Sequence, residues 1–299
     1  MVLPNFFIIG AIKAGTTSLH YYLNQHPEIF MSAMKEPTFF APEFYTTHRN
    51  GILRGRAQRQ AAMPLEEYTS LFNDVSQETA IGEASPSYLF FEQTPTRIKQ
   101  MIPEAKIIAI LRDPAERAFS AYCFQKRDGY ELMSFEQALA DEQKRLEQRW
   151  QPGWLYASCG YYYAQIKRYF NTFDPSQIRV YLQEELNTDS TSVCQDIFEF
   201  LGVHSAFVPD LSRKNISAMP KNQLLNLFLS NRNPIKLAIK PLLPKQLRQQ
   251  VAGNIRKLNM ADKPSLSPET RQSLIKIYRE DVLKLQDLIQ KDLSSWLIP

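Results

Sequence analysis

With 299 residues, 44% of them hydrophobic and 12% aromatic, the chain can bury a sizeable core, which excludes wholesale disorder. No apolar run approaches the ~18 residues of a membrane-spanning helix, and the N-terminus has no basic n-region or small-residue cleavage site, so no secretory signal is expected. The net charge is only +4 but unevenly placed: residues 211–261 hold ten Lys or Arg and no acid, leaving 25 basic against 31 acidic residues elsewhere.

In chain order, Phe6-Phe7-Ile8-Ile9 is a continuous apolar run ending at Gly10, the pattern of a buried parallel strand. Thr16 to Leu23 reads as a helix stopped near His26-Pro27, and a short run, Ile29-Phe30-Met31, precedes Lys35-Glu36-Pro37. Residues 42–63, rich in Arg, Gln and Gly, read as a surface insertion. Leu65 to Phe72 is helical and Thr79-Ala80-Ile81-Gly82 is a strand. Lys106 to Leu111 is the clearest strand, β-branched and apolar, running into Arg112-Asp113-Pro114 with Pro114 placed to open a helix. Helices follow at 134–149, 161–172, 190–201 and 268–292, with one more strand at Ile178 to Leu182. This alternation predicts an α/β fold: a mostly parallel central sheet flanked by helices, in one domain over residues 1–299.

Three scattered cysteines (Cys123, Cys159, Cys194) and four histidines share no disulfide or metal-ligand spacing, so a reduced, cytoplasmic protein without a metal is expected. The most informative segment is Gly10-Ala11-Ile12-Lys13-Ala14-Gly15-Thr16-Thr17-Ser18, which joins a buried strand to a helix. In such a loop backbone N–H groups converge on an anion and the helix N-terminus adds partial positive charge. Lys13 supplies a full charge, and Thr16, Thr17 and Ser18 supply hydroxyls. The G-x-x-x-x-G spacing matches a nucleotide P-loop, but Thr16-Thr17 replaces the Lys-Ser/Thr that reaches the terminal phosphates of bound nucleotide. A tight strand–helix turn would need the glycines alone; the clustered lysine and hydroxyls favour a bound anion.

The segment resembles the 5′-phosphosulfate loop of sulfotransferases that use 3′-phosphoadenosine 5′-phosphosulfate (PAPS), in the branch that includes heparan sulfate and bacterial enzymes. Arg112-Asp113-Pro114-x-x-Arg117-Ala118-Phe119-Ser120-x-Tyr122 is similar to that family's 3′-phosphate motif, and Lys35-Glu36-Pro37-Thr38-Phe39-Phe40 to its K-E-x-x-F-F segment. Weaker echoes are Gly82-Glu83-Ala84-Ser85-Pro86-x-Tyr88 and Gly160-Tyr161, so the resemblance spans roughly residues 4–220. It implies a nucleotide-kinase-like fold and transfer of a sulfuryl group from PAPS, without metal, to a hydroxyl (or, as a second class, an amine) of a carbohydrate, lipid or small metabolite.

The resemblance assigns the cofactor to Lys13, Ala14, Gly15, Thr16, Thr17 and Ser18 on the 5′ side and to Arg112 and Ser120 on the 3′-phosphate. An Arg-Lys-Gly segment of cytosolic relatives gives Arg213 and Lys214 a similar covering role. Lys13 and Glu36 are its catalytic pair. A loop lysine can neutralise charge developing on the leaving phosphate, and a carboxylate can take the proton of a weakly nucleophilic alcohol. Glu83, then His48, are the fallback bases. Arg117 reads as a structural ion pair, and Lys35 as a neighbour of the phosphosulfate. Thr38 stands where relatives often have His, and Ala84 where some have Lys.

The acid-free block reads as a flap over the acceptor cleft with a basic rim, as a docking segment for an anionic membrane surface, which would place the protein peripherally at the inner face, or as a stretch that attracts a polyanionic glycan. Nucleic acid is not expected, because no matching motif is present. The rival readings are a P-loop nucleotide kinase or NTPase, and a non-enzymatic polyanion- or membrane-binding protein.

Overall fold

The computed structural model describes residues 2–47, 62–212, 219–220, 260–261 and 264–299. Arg213, Lys214, His48 and nearly all of the basic block lie outside the described residues.

Five parallel strands form the central sheet in the order β2-β3-β1-β4-β5, with β1 Phe6–Gly10, β2 Ile29–Met31, β3 Ala80–Ala84, β4 Lys106–Leu111 and β5 Ile178–Leu182. Both faces are covered, so the inner strands are buried at nearly every position, which is why they read as unbroken apolar runs. Phe6 pairs with Gly82 on one side and with Lys106 on the other. β1 thus lies between strands that follow it in sequence. The chain reverses its direction of winding there, which opens a crevice at the carboxyl ends of the strands. The loop after β1 sits at that crevice.

The helices that frame it are α1 Thr16–Leu23, α2 Glu43–Thr46, α3 Leu65–Ser70, α4 Thr94–Met101 and α5 Pro114–Arg127. α5 starts as its sequence predicts, on Pro114 behind an N-cap: the Asp113 carboxylate accepts from Ala115 N at 2.8 Å and Glu116 N at 3.1 Å. The predicted 134–149 helix is two, α6 Phe135–Ala140 and α7 Glu142–Glu147. They meet at Asp141, and the turn returns buried Arg145 so that its guanidinium donates to Asp141 at 3.2 Å and Glu131 at 2.8 Å.

α8 Tyr162–Phe170, α9 Gln183–Thr188 and α10 Ser190–Leu201 follow, and then α11 Pro268–Ile289, in the part of the chain that carries no motif. α11 is fastened to the site-bearing elements. Arg271 donates to the Asp113 carboxylate at 2.8 Å, the Tyr278 hydroxyl to Ala157 O at 2.9 Å, and Asp281 accepts from Tyr163 N at 3.1 Å. Residues 219–220 and 260–261 pair as a short antiparallel ladder. Among the described residues no helix is long and apolar enough to cross a membrane.

Candidate anion-binding active site

β1 ends at Gly10, where a Cβ would lie 2.7 Å from the Leu89 Cβ, so only glycine lets the chain pass into the loop. Gly15 takes φ +101°, a left-handed conformation that glycine adopts without strain, and opens α1 without a side-chain cap. Ser18 N turns back to Gly15 O at 3.0 Å, while the N–H groups of Thr16 and Thr17 precede the first carbonyl they could reach and lie at the loop mouth, at the positive end of the helix dipole.

Lys13 bulges from this loop at φ +70°, with its ammonium 4.3 Å from the centre of the Phe124 ring. The Arg127 guanidinium covers the same ring at 4.8 Å. Burial lowers the Lys13 pKa to about 8, helped by the positive charges of Arg127, Arg112 and Lys35 and opposed by Glu36. A partly desolvated ammonium among three other cations is an unfavourable arrangement that an anion would relieve.

Arg112 follows the last residue of β4 at the same crevice. Its Nη1 donates to the Lys13 carbonyl at 3.4 Å, and its Nη2 pairs with Glu116 at 3.2 Å. Ser120 sits two turns into α5, nearly buried, and forms no hydrogen bond with Arg112. From the opposite side, Lys35 Nζ donates to Thr17 Oγ1 at 2.8 Å and to Glu36 Oε1 at 3.1 Å. Lys13, Thr17, Lys35, Glu36 and Arg112 are therefore one connected cluster. Ala14 and Thr16 are buried behind it, whereas Thr17 is exposed and Ser18 half-buried.

The Lys35–Phe40 loop is unusual in its backbone. Glu36 and Thr38 both take left-handed φ, +61° and +55°, and with Lys13 they are three of the five non-glycine residues of positive φ among the described residues. Such conformations concentrate at functional sites, where the surroundings hold them. The Glu36 side chain is 53% exposed, open to an incoming molecule. Thr38, at the position where relatives often have His, is buried with its hydroxyl 2.8 Å from both Pro37 O and the Tyr45 hydroxyl. Ala84 is buried too. Neither touches the open face of the site.

Two sequence readings change. Glu83 is 0% exposed: its carboxylate accepts from Ser85 at 2.7 Å and from Tyr68 and Tyr88, and cannot meet an acceptor. Burial pushes its pKa up, while the three hydroxyls pull it back. Arg117 is fully buried but has no carboxylate partner; its Nη2 donates to Tyr156 O, while Nε and Nη1 have no acceptor among the described residues. Sequence reasoning missed Phe124 and Arg127. Their i, i+3 spacing on α5, one turn beyond Ser120, was the available signal. Among the described residues no group of three or more His, Cys, Asp or Glu is placed to hold a metal ion.

Comparison with known proteins agrees with this geometry. A sequence model described as "Sulfotransferase family" matches residues 4–206. The human bifunctional heparan sulfate N-deacetylase/N-sulfotransferase 3 is 32% identical over 213 residues, covering 67% of this chain but only 22% of that protein. The Dictyostelium discoideum membrane-associated sulfotransferase kil1 is 40% identical over 124 residues, 42% of this chain and 23% of the other. The chain thus spans under a quarter of the length of either relative. The crystal structure of a sulfotransferase from Alicyclobacillus acidocaldarius superposes with a TM-score of 0.76 at 34% identity, covering 99% of both chains. The family match takes in the whole sheet and the loop after β1, and the structural match extends through α11: this chain belongs to the sulfotransferase family.

Proposed function

We propose that the protein transfers a sulfuryl group from PAPS to a hydroxyl of a carbohydrate, lipid or small-metabolite acceptor. The observation that carries the proposal is the convergence of Lys13, Lys35 and Arg112 on the uncapped N-terminus of α1, with the half-exposed Glu36 carboxylate on the same cluster. The donor set fits a nucleotide with two separate anionic groups, one at 5′ and one at 3′. The loop N–H groups, Thr17 and Ser18 would hold the 5′ side, and Arg112 with Ser120 the 3′-phosphate. Arg112 already points one edge of its guanidinium at the loop, leaving a forked donor for a phosphate once its pairing with Glu116 is exchanged. PAPS supplies the activated sulfuryl group; the protein's residues bind, orient and accept the proton. Because Thr16-Thr17 stands where a P-loop kinase has Lys-Ser/Thr, the kinase reading is not favoured.

An amine is the second acceptor class, favoured by the 32% identity to a protein named for N-sulfation. Labelled PAPS offered to pooled alcohols and amino sugars separates the two. Label on neither pool, with the nucleotide bound, would refute the transferase assignment.

Adenosine 3′,5′-bisphosphate is expected to bind far more tightly than ATP, without added divalent metal. Arg112→Ala should lose roughly 10- to 100-fold of that preference, since hydrogen bonds to charged groups contribute about 1.5–3 kcal/mol each. Calorimetry giving equal affinities for the two nucleotides would refute the bisphosphate site.

Binding should also be linked to protons. Lys13 titrates near 8 in the free protein, and an adjacent phosphate raises it toward its ordinary range. At pH 8 the complex should take up about half a proton, and affinity should fall as pH rises above that point. Calorimetry in buffers of different ionisation enthalpy reads the uptake directly. Lys13→Met should abolish it.

A further inference from the structure

Glu83 sits on β3 opposite Phe7 of β1, fully buried, and pairs with no cation among the described residues. A buried carboxylate is retained only if its lone pairs are filled. Here three hydroxyls fill them: Ser85, at 2.7 Å, Tyr68 and Tyr88. Each of these three residues also holds the Lys35–Phe40 loop. Ser85 Oγ accepts from Thr38 N at 3.2 Å, and the Tyr88 hydroxyl accepts from Phe40 N at 3.1 Å. The Tyr68 ring stacks on Phe39 at 4.1 Å between centroids, 7° from parallel. The loop has other attachments as well: Glu36 N donates to Ala84 O at 3.0 Å, the Tyr45 hydroxyl to Pro37 O at 2.8 Å and Arg97 Nη1 to Phe40 O at 3.2 Å.

The chemistry of the central group sets the direction of these bonds. A hydroxyl has one proton. When Ser85 and Tyr88 give theirs to Glu83, both oxygens are left as acceptors toward the loop, the role that Thr38 N and Phe40 N require. An amide at position 83 would bring an NH₂ donor of its own and oblige the hydroxyl facing it to turn its proton elsewhere, which disturbs the geometry in which Ser85 and Tyr88 accept from the loop.

We infer that Glu83 is a positioning residue which, through Ser85, Tyr88 and Tyr68, holds the left-handed Glu36–Thr38 bend and so aims Glu36 at the sulfuryl site. The inference rests on the reading of Glu36 as the base.

The test compares Ser85→Ala, Ser85→Thr and Glu83→Gln with wild type, and repeats Ser85→Ala in a Glu36→Gln background. Ser85→Ala keeps the buried carboxylate, so it stays interpretable should Glu83→Gln fail to fold. Amide exchange at Thr38 and Phe40 reads the anchoring itself. It should quicken about 10-fold or more in both Ser85→Ala and Glu83→Gln, because a local opening loses its restraining bond. Turnover of labelled PAPS should fall about 10-fold in Ser85→Ala through misplacement of the base. The KM for PAPS and the affinity for the bisphosphate should stay within about twofold, since of this loop only Lys35 faces the anion site and it is held from outside the bend by Thr17, and Ser85→Thr should restore turnover. With Glu36 already replaced, Ser85→Ala should cost less than about twofold, the non-additivity of groups acting through one another.

Unchanged exchange would overturn the anchoring. An equal loss of turnover in both backgrounds, or a loss confined to KM, would overturn action through Glu36. Near-normal turnover of Glu36→Gln, with exchange at Thr38 quickened by Ser85→Ala, would instead remove the base assignment and leave Glu83 as the anchor of the loop.

Discussion

Glu36→Gln should lower turnover on the protein's own acceptor by about 10²–10⁴-fold, the range for loss of a general base. The substitution keeps size and a hydrogen-bonding oxygen, so the bend at φ +61° and the bond from Lys35 can persist. What is lost is the capacity to take a proton. Adenosine 3′,5′-bisphosphate affinity should hardly move, because the Glu36 side chain is half exposed on the acceptor side and meets the anion cluster only through Lys35. Turnover with labelled PAPS on an acceptor the wild type sulfates, set beside calorimetry with the bisphosphate, separates the two effects. A large drop in affinity with turnover preserved at saturation would make Glu36 a binding group. Near-normal values of both would move the base elsewhere. Glu83 cannot take its place, being sealed within the sheet on the inner strand β3 by Ser85, Tyr68 and Tyr88.

The parts of the fold most legible in the sequence are those whose burial is complete. Lys106–Leu111 has the observed bounds because a strand covered on both faces has an unbroken β-branched signature; Ile178–Leu182 has them too, although as an edge strand it leaves Arg179 and Val180 half-buried. α1 and α10 also start and stop as predicted, the first between Gly15 and His26-Pro27, the second ending at Gly202 in left-handed conformation. Boundaries blurred where tertiary contacts outweigh local pattern. The 134–149 helix breaks at Asp141 to bury Arg145, a residue whose charge suggests a surface position. α4, opened by Thr94-Pro95, and the short α9 hold too few apolar residues to stand out.

In the site, the loop and Arg112 were readable because their chemistry is local in sequence. Lys35 bonding to Thr17, Arg127 acting on Lys13, and Thr38 turned inward all depend on crossings between distant segments, which spacing alone does not encode. The same holds for Glu83. As a carboxylate after a strand it looked like a second base, and only its three hydroxyl partners reveal a structural charge. Arg213 and Lys214 lie outside the described residues, so their covering role stays a proposal.

Lys13→Ala should reduce turnover by about 10²–10³-fold, comparable to removing one donor from a preorganised charge-stabilising site, and reduce bisphosphate affinity far less. The asymmetry follows from where charge sits. In the bound ground state the 5′-phosphate shares its charge with several loop N–H groups and with the Thr17 and Ser18 hydroxyls, so one ammonium is a fraction of the binding. As the S–O bond breaks, charge grows on the leaving oxygen, and an interaction stronger there than in the ground state raises turnover selectively. The free protein already holds Lys13 for that moment. Its ammonium is desolvated, surrounded by Arg127, Arg112 and Lys35, and rests on the Phe124 ring 4.3 Å away. Removing it relieves that repulsion, which offsets part of the lost attraction to bound phosphate and deepens the split between turnover and affinity. Lys13→Arg should restore affinity but only part of the turnover, because a planar fork cannot present the same point charge from a backbone at φ +70°. Parallel losses of turnover and affinity in Lys13→Ala would instead mark the lysine as an anchor, and the stabilisation of the leaving group would then fall to Lys35 and the first-turn N–H groups of α1.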